Sequence, residues 1–235
     1  MAGNMLRAIL DLVAPRACPV CGCRLAVGEK AICTSCNMML PRTDFAEHAL
    51  NNNMAQLFWG RIKRIQRAAA WIYYEPQTEV DHLLFALKYR NHPEYGEYLG
   101  NIMANEMKNH GFFDGIDCIL PIPLAKARQR KRGYNQSEEL ARGIALATGL
   151  PIVTNAVKRI TFDKSQTRLN RQQRMENVEN TFVCTHNHDI DLQGKHLLLV
   201  DDVVTTGATI AACAQELLPY QYAGISILSL GFAGV

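Results

Sequence analysis

The sequence predicts an α/β protein, in which a parallel β-sheet is flanked by helices and preceded by a small four-cysteine module. Short apolar runs without helical periodicity alternate with amphipathic segments through the second half of the chain. That alternation is typical of parallel strands joined by crossover helices. One apolar run, residues 197–200, ends in two adjacent aspartates, and two Cys-x-x-Cys pairs lie near the start of the chain.

The length and composition allow one large domain with an appendage. The 235 residues are 48% hydrophobic and 20% charged, which is ordinary for a globular protein. We predict an N-terminal helix and cysteine module at residues 1–45, a linker or hood segment at 46–78, and the α/β domain at 79–235. No apolar run approaches the ~20 residues that a membrane span needs, and we find no export signal. We therefore expect a cytoplasmic protein with reduced cysteines.

The two cysteine pairs have the spacing of a structural metal site. Cys18 and Cys21 form one pair, and Cys33 and Cys36 form the other, eleven residues further on. Two such pairs can place four thiolates around one ion, and zinc suits four thiolates in a reducing compartment. Four ligands leave no open position, so the site is predicted to be structural. Cys23 is predicted to be a non-ligand. Chance pairs of free or redox-active cysteines are the alternative.

The main elements follow from apolar periodicity. Val80, Leu83, Leu84 and Leu87 have the spacing of an amphipathic helix, and Lys88 in its last turn is read as a partner of the helix dipole. In chain order we predict a strand at 67–74, helices at 80–89 and 99–107, a strand at 117–123, a helix at 136–147, a strand at 151–160, the central strand at 197–200, a helix reaching 218, and a strand at 223–232. Residues 41–60 and the basic stretch after 123 are read as loops.

Positive charge is concentrated in one window. Residues 126–174 hold twelve Lys or Arg and three Asp or Glu, although the net charge of the chain is only +3. Such a local field suits a polyphosphate ligand or a nucleic acid. A solvated basic loop without a ligand is the plain alternative.

The stretch at 196–210 reads HLLLVDDVVTTGATI, which is a strand, an acidic tip, a small polar loop and a helix. Thr and Gly leave the loop backbone accessible, so its N–H groups can converge on a phosphate at the helix N-terminus. Adjacent carboxylates need cations or hydroxyl donors, and a ribose diol with a divalent metal supplies both. The absence of Gly-Lys-Ser/Thr argues against a P-loop nucleotide triphosphatase. A strand–turn–helix with an acidic cap is the alternative without function.

This stretch resembles the motif that binds phosphoribosyl pyrophosphate (PRPP) in type I phosphoribosyltransferases. The resemblance extends to the ComF/GntX family of competence and DNA-utilization proteins, and it covers nearly the whole chain. Besides the cysteine module, its motifs are 87–89 (LKY), 121–124 (PIPL), 132–137 (RGYNQS), Ser165-Gln166 with Leu169, Arg174 with Asn177-Val178, and 200–209. Asp163-Lys164 departs from the family's usual Thr-Pro.

The resemblance implies a type I phosphoribosyltransferase fold and a set of site residues. The PRPP-binding positions would be Asp201, Asp202, Val203, Thr205, Thr206, Gly207, Ala208 and Thr209. Asp201 and Asp202 would also act in catalysis by holding the ribose hydroxyls and bound Mg²⁺. Arg132 would face the pyrophosphate, and Arg174 would belong to a flexible hood over residues 159–174.

Two functions remain open at this stage. The first is an enzyme that transfers a phosphoribosyl group from Mg²⁺–PRPP to an acceptor nitrogen. The second is a non-catalytic module that binds a ribose 5-phosphate, single-stranded DNA or DNA-uptake proteins. A redox or metal-storage role for the cysteines would leave the PRPP motif unexplained. The acceptor is not predicted, and residues 57–74 are only a candidate for gripping it.

Overall fold

The centre of the molecule is a four-stranded parallel sheet. The computed structural model describes residues 16–89, 92–160, 182–187 and 189–234. Its strands are β1 (Ile65–Tyr73), β2 (Cys118–Pro121), β3 (Val157–Arg159), β4 (Phe182–Cys184), β5 (His196–Val204) and β6 (Gly224–Phe232). The sheet order is β1–β6–β5–β2, and β3 and β4 form a separate antiparallel pair. Every residue of β6 is buried, as expected for an inner strand of a parallel sheet covered on both faces.

Helices cover this sheet and connect its strands. They are α1 (Thr34–Met39), α2 (Asn53–Gln56), α3 (Glu79–Tyr89), α4 (Pro93–Lys108), α5 (Lys126–Arg132), α6 (Gln136–Thr148) and α7 (Ala208–Gln215), with a 3₁₀ turn at Leu218–Tyr220. No described helix combines the length and the apolar character that a bilayer crossing requires.

Among the regions that differ from the sequence-based expectation, two lie after β2. The basic stretch read as a loop forms the helix α5, because Lys, Arg, Gln and Ala are all good helix formers. It ends at Gly133, whose φ of 85° is left-handed. The strand expected at 151–160 is much shorter. Ile152 makes an isolated parallel bridge to Ile119, and the left-handed φ of 65° at Asn155 interrupts the extended chain before β3 begins.

The segment read as an irregular loop at 41–60 is docked against β1. The Thr43 amide donates to the Trp71 carbonyl at 3.2 Å, so the chain covers this edge of the sheet. The Asn52 side chain caps α2 by accepting from two backbone amides, and it donates to the Ala68 carbonyl at 2.8 Å. Asn52 therefore joins the helix start to the strand.

Arg42 fastens the cysteine module to the main body. Its guanidinium donates to both carboxylate oxygens of Glu106 on α4, each at 2.9 Å. It also donates to the Asn37 carbonyl in α1 at 3.1 Å and lies 4.1 Å above the ring of Trp71 on β1. Trp71 is buried and covered by this cation, so it belongs to the contact between the module and the sheet.

Glycines let α4 and α6 pack at very short range. A Cβ atom added at Gly143 would lie 2.0 Å from the Glu97 carbonyl oxygen, and one added at Gly100 would lie 2.2 Å from the Leu140 carbonyl oxygen. Both neighbours are backbone atoms, which cannot move aside independently. The close crossing fixes α6 against α4, and the first turn of α6 then points toward the end of β5.

Replacing Gly143 with alanine is expected to push these helices apart. Overpacking of this kind costs about 1–3 kcal/mol, which exceeds the gain in helix propensity of about 1 kcal/mol at the upper end. Urea unfolding should show a lower free energy of unfolding for Gly143→Ala. Gly28→Ala is the control, because its added Cβ would meet nothing within 4 Å. Equal stability of the two variants would contradict the close packing.

Candidate functional site

The predicted acidic tip lies at the carboxyl end of β5, between β6 and β2. Asp201 is paired in register with Ser229 of β6, and Pro121 at the end of β2 is paired with Val200. Residues 205–207 then leave the sheet, and α7 begins at Ala208. This edge of an open parallel sheet is where α/β proteins commonly bind ligands.

Asp201 is held by a hydroxyl from α6. Ser137 Oγ donates to Asp201 Oδ1 at 3.0 Å, and the Asp202 amide donates to the same oxygen at 2.9 Å. Burial, followed by the negative charge of Asp202, raises the pKa of Asp201 to about 7. Two carboxylates in this position therefore repel each other unless a cation or a proton compensates.

Asp202 is paired with a lysine from α3. Lys88 Nζ lies 3.1 Å from Asp202 Oδ2, and the Val203 amide donates to Asp202 Oδ1 at 2.7 Å. The sequence-based reading of Lys88 as a helix-dipole partner missed this ion pair. Nothing in the local pattern indicates it, because the two residues meet only through the fold.

The loop after the acidic pair is shaped by one glycine. Gly207 has a left-handed φ of 70°, and an added Cβ would lie 2.7 Å from the ring of Phe58. Both the backbone conformation and the close ring exclude a larger residue. Thr205 and Thr206 are exposed, and residues 201 and 203–210 line a small cavity of about 30 Å³.

The backbone of this loop is available to an anion. Within the described chain, the amides of Thr205, Thr206, Gly207 and Thr209 make no hydrogen bond to a protein acceptor. Arg61 Nη1 donates to the Thr206 carbonyl at 2.7 Å, which brings a positive charge to the loop. Sequence reasoning included Phe58 and Arg61 only in the 57–74 segment, as a candidate for gripping the acceptor, and did not connect either residue to this loop, because that segment is far away in the chain.

The RGYNQS motif positions α6 and Arg132. Tyr134 Oη donates to the Leu87 carbonyl at the end of α3 at 2.6 Å. Asn135 caps α6 by accepting from the Ser137 amide at 3.2 Å, and it donates to the Ile122 carbonyl at 3.0 Å. The motif therefore ties α6 to both α3 and the end of β2, which sets Ser137 beside Asp201.

Arg132 lies next to the Lys88 end of α3. Its guanidinium is 5.4 Å from the centre of the Tyr89 ring, and Nη1 donates to Gln136 Oε1 at 2.7 Å. These contacts connect Arg132 to the residues that adjoin Lys88 and Ser137. Both contacts are with neighbours of the residues that bind the acidic pair, not with the pair itself, and the predicted Arg174 lies outside the described residues.

The four predicted cysteine ligands converge. Their sulfur atoms all lie within 4.8 Å of one another, and the sulfurs of Cys21 and Cys33 are 3.8 Å apart. Zinc–sulfur bonds of about 2.3 Å give a tetrahedron with edges of about 3.8 Å, so the cluster can hold a metal ion such as zinc. The backbone N–H of Cys23 lowers the pKa of Cys21 to about 7, which favours the thiolate. The Cys23 thiol is not part of the cluster.

Comparison with known proteins identifies the family. Residues 60–230 match Pribosyltran, the phosphoribosyl transferase domain. The chain belongs to this family. This match confirms the predicted type I phosphoribosyltransferase fold.

The relatives of this domain include proteins of DNA uptake and use. The DNA utilization protein YhgH of Escherichia coli strain K12 is 29% identical over 231 residues, covering 93% of this chain and 98% of that protein. YhgH of Shigella flexneri is 30% identical over 219 residues, covering 88% and 92%. Competence protein F of Haemophilus influenzae is 26% identical over 192 residues, covering 80% and 79%. The predicted resemblance to competence proteins is confirmed.

Among solved structures, the glutamine PRPP amidotransferase from B. subtilis, complexed with ADP and GMP, matches 62% of this chain. The TM-score is 0.41 and the sequence identity is 16%. The match spans 30% of that enzyme's length.

The raised pKa of Asp201 predicts a pH-dependent stability of this phosphoribosyl transferase domain. From its ordinary value of 3.8 up to about 7, the folded state keeps a proton that the unfolded state has released. The Asp201 contribution to the free energy of unfolding therefore decreases as pH rises through this window. Urea unfolding at pH 5 and pH 7 should show that wild type loses stability relative to Asp201→Asn.

The control is Asp189→Asn, which removes an exposed carboxylate elsewhere on the surface. A difference between wild type and Asp201→Asn that stays constant or grows with pH would contradict the raised pKa.

Proposed function

We propose that this chain binds Mg²⁺–PRPP at 201–209 and transfers its phosphoribosyl group to an acceptor nitrogen, in support of the use of external DNA. The observation that carries the proposal is that two kinds of binding group lie together at one edge of the sheet. Two adjacent carboxylates stand beside a loop in which four amides, those of Thr205, Thr206, Gly207 and Thr209, have no acceptor in the described protein. The first suits a ribose diol with a divalent cation, and the second suits a 5′-phosphate.

The proposed roles follow the geometry. Asp201 and Asp202 would bind the ribose hydroxyls and the metal ion carried by the ligand. Their fit to a cation is supported by the burial of Asp201 and the adjacent charge of Asp202, which together raise the pKa of Asp201 and which a nearby positive charge would offset. Val203 and residues 205–209 would supply the backbone around the 5′-phosphate, with Gly207 keeping the approach open.

The transfer itself needs charge stabilisation more than covalent catalysis. The bond from C1′ of the sugar to the pyrophosphate oxygen breaks, and the oxygen keeps the electron pair. The acceptor nitrogen forms the new bond to C1′ and loses its proton. Arg132, and in the family pattern Arg174, would stabilise the negative charge that develops on the pyrophosphate. Positioning of the two reactants would supply much of the remaining rate.

A second function has an observation of its own. The helix α5 carries Lys126, Arg128, Arg130 and Lys131 on an exposed surface, and none of them forms an ion pair within the described part of the chain. Such a helix suits phosphate backbones. A binding module for single-stranded DNA or for a DNA-uptake protein is therefore the alternative, and its DNA affinity would fall steeply with salt.

The cysteine cluster is proposed to bind one structural zinc ion. The support is its sulfur geometry and the absence of a fifth ligand position among four thiolates. The division at residues 45 and 78 and a cytoplasmic location also remain proposals. A reducing compartment would keep the four thiols free to bind metal.

Asp202→Asn is expected to weaken Mg²⁺–PRPP binding about 10- to 100-fold, because a hydrogen bond or metal contact to a charged group is lost. Isothermal titration calorimetry with Mg²⁺–PRPP measures this directly, and release of pyrophosphate in a screen of nucleobases measures turnover. The control Asp189→Asn removes an equal charge at an exposed position and should bind like wild type.

The titration also separates the two candidate functions. Saturable PRPP binding that depends on Asp202 supports the transferase. Folded, zinc-loaded protein that binds no PRPP but binds single-stranded DNA with a steep salt dependence would replace it with the binding module.

Cys18→Ser is expected to abolish stoichiometric metal binding, because one of four thiolate ligands is lost. Elemental analysis should find about one zinc per chain in wild type and much less in the variant. Cys23→Ser is the matched control from the same module and should retain the metal. Equal loss in both variants would contradict the four-ligand assignment, and zinc retained in Cys18→Ser would do so as well.

A further inference from the structure

Lys88 stands at the junction of the acidic pair and an open cleft. Its Nζ atom lies 3.1 Å from Asp202 Oδ2, and the two side chains are 24% and 18% exposed. The cleft has a volume of about 560 Å³ and is lined by Tyr74, Asp81, His82, Leu84, Phe85, Lys88 and Tyr89. The ammonium group can therefore leave Asp202 without entering the core.

The position of Lys88 is built into the fold. The carbonyl of its neighbour Leu87 accepts from Tyr134, and the ring of its other neighbour Tyr89 lies below Arg132. Both partners belong to the segment that leads into Ser137, which binds Asp201. The segment 132–137 thus fixes both the end of α3 and the start of α6. It therefore places Lys88 beside Asp202 and Ser137 beside Asp201.

Asp81 also lines the cleft, and Lys88 contributes less to the lowered pKa of its carboxyl than the hydrogen bonds from Tyr74 and Gln77 do. The Asp81 carboxylate accepts from Tyr74 Oη at 2.7 Å and also from the Gln77 amide. The rings of Phe85 and Tyr89, tilted at 40° to each other with their centres 4.9 Å apart, form an aromatic wall. An ammonium released from Asp202 would lie in a cleft whose Tyr89 ring also contacts the guanidinium of Arg132, and such a positive charge attracts a phosphoryl group.

We propose that Lys88 is an exchangeable counter-ion of Asp202. In the ligand-free protein it neutralises the carboxylate. When a divalent cation arrives with a phosphorylated ligand, the cation takes Asp202, and Lys88 pairs with the ligand's phosphoryl oxygens. Lys88 is then a ligand-positioning residue. This inference rests on the proposed function, because it assumes that Mg²⁺–PRPP is the ligand.

The exchange predicts opposite effects of one substitution on two ligands. Lys88→Met removes the competitor for Asp202, so Mn²⁺ alone should bind about two- to fivefold more tightly, as expected from an ion pair of modest strength. The same variant loses a charge-assisted contact to phosphate, so Mg²⁺–PRPP should bind about tenfold more weakly. A purely structural ion pair would not produce changes of opposite sign.

The experiment measures free Mn²⁺ by electron paramagnetic resonance and Mg²⁺–PRPP by calorimetry, both on zinc-loaded full-length protein. Lys108→Met is the control for charge. Lys108 is exposed and donates to the Ala147 carbonyl near the far end of α6 from Ser137, roughly 15 Å away at 1.5 Å per residue. The Lys108→Met variant should bind Mn²⁺ and Mg²⁺–PRPP with the affinities of wild type. Lys88→Arg should restore PRPP binding, and Lys88→Met in an Asp202→Asn background should no longer tighten Mn²⁺ binding.

The outcomes separate this inference from the proposed function. Unchanged or weaker Mn²⁺ binding in Lys88→Met overturns the exchange, even where wild type binds Mg²⁺–PRPP. Equal tightening in Lys108→Met also overturns it, since the effect would then be a general one of charge. Tighter Mn²⁺ binding in a protein that does not bind PRPP would support the competition at Asp202 and refute PRPP as the ligand.

Discussion

The repulsion between two neighbouring carboxylates is the constraint that organises this molecule. Asp201 and Asp202 stand side by side at the end of a buried strand, where water can solvate them only in part. Each one receives a partner from a different helix, Ser137 from α6 and Lys88 from α3. Those partners reach the aspartates only because both helices are held in place. The glycine contacts with α4 hold α6, Tyr134 bonds to the end of α3, and Asn135 bonds to the chain after β2. The packing of the helices therefore determines which groups compensate the two carboxylates.

Local patterns predicted most of the fold. Apolar runs were sufficient for β1, β5 and β6, which are buried strands, and the helical spacing of apolar residues was sufficient for α3 and α6, which bury one face. The α5 helix was missed because it buries nothing, so no apolar period marks it. The strand at 151–160 was overestimated because the turn at Asn155 depends on a single backbone conformation, which apolar periodicity does not register.

The candidate site was predictable only where its residues are contiguous. The acidic tip, the small loop and the four cysteines have fixed local spacing, and the structure gathers each set as the spacing requires. The partners of those residues could not be predicted, because contacts such as Lys88 with Asp202 or Arg61 with Thr206 join segments far apart in the chain. The catalytic and binding roles of these residues remain predictions, and Arg174 lies outside the described residues.

The ring of Phe58 beneath Gly207 has a practical consequence for anyone who isolates the transferase region. The family match begins at residue 60, yet this buried ring precedes it and supports the underside of the loop. A fragment trimmed to the matched borders would lack the ring that packs under the loop at 205–207, and its outer strand β1 would lose the pairing with residues 41–43. Weak ligand binding by such a fragment would reflect the missing floor of the pocket and would say nothing about the intact protein.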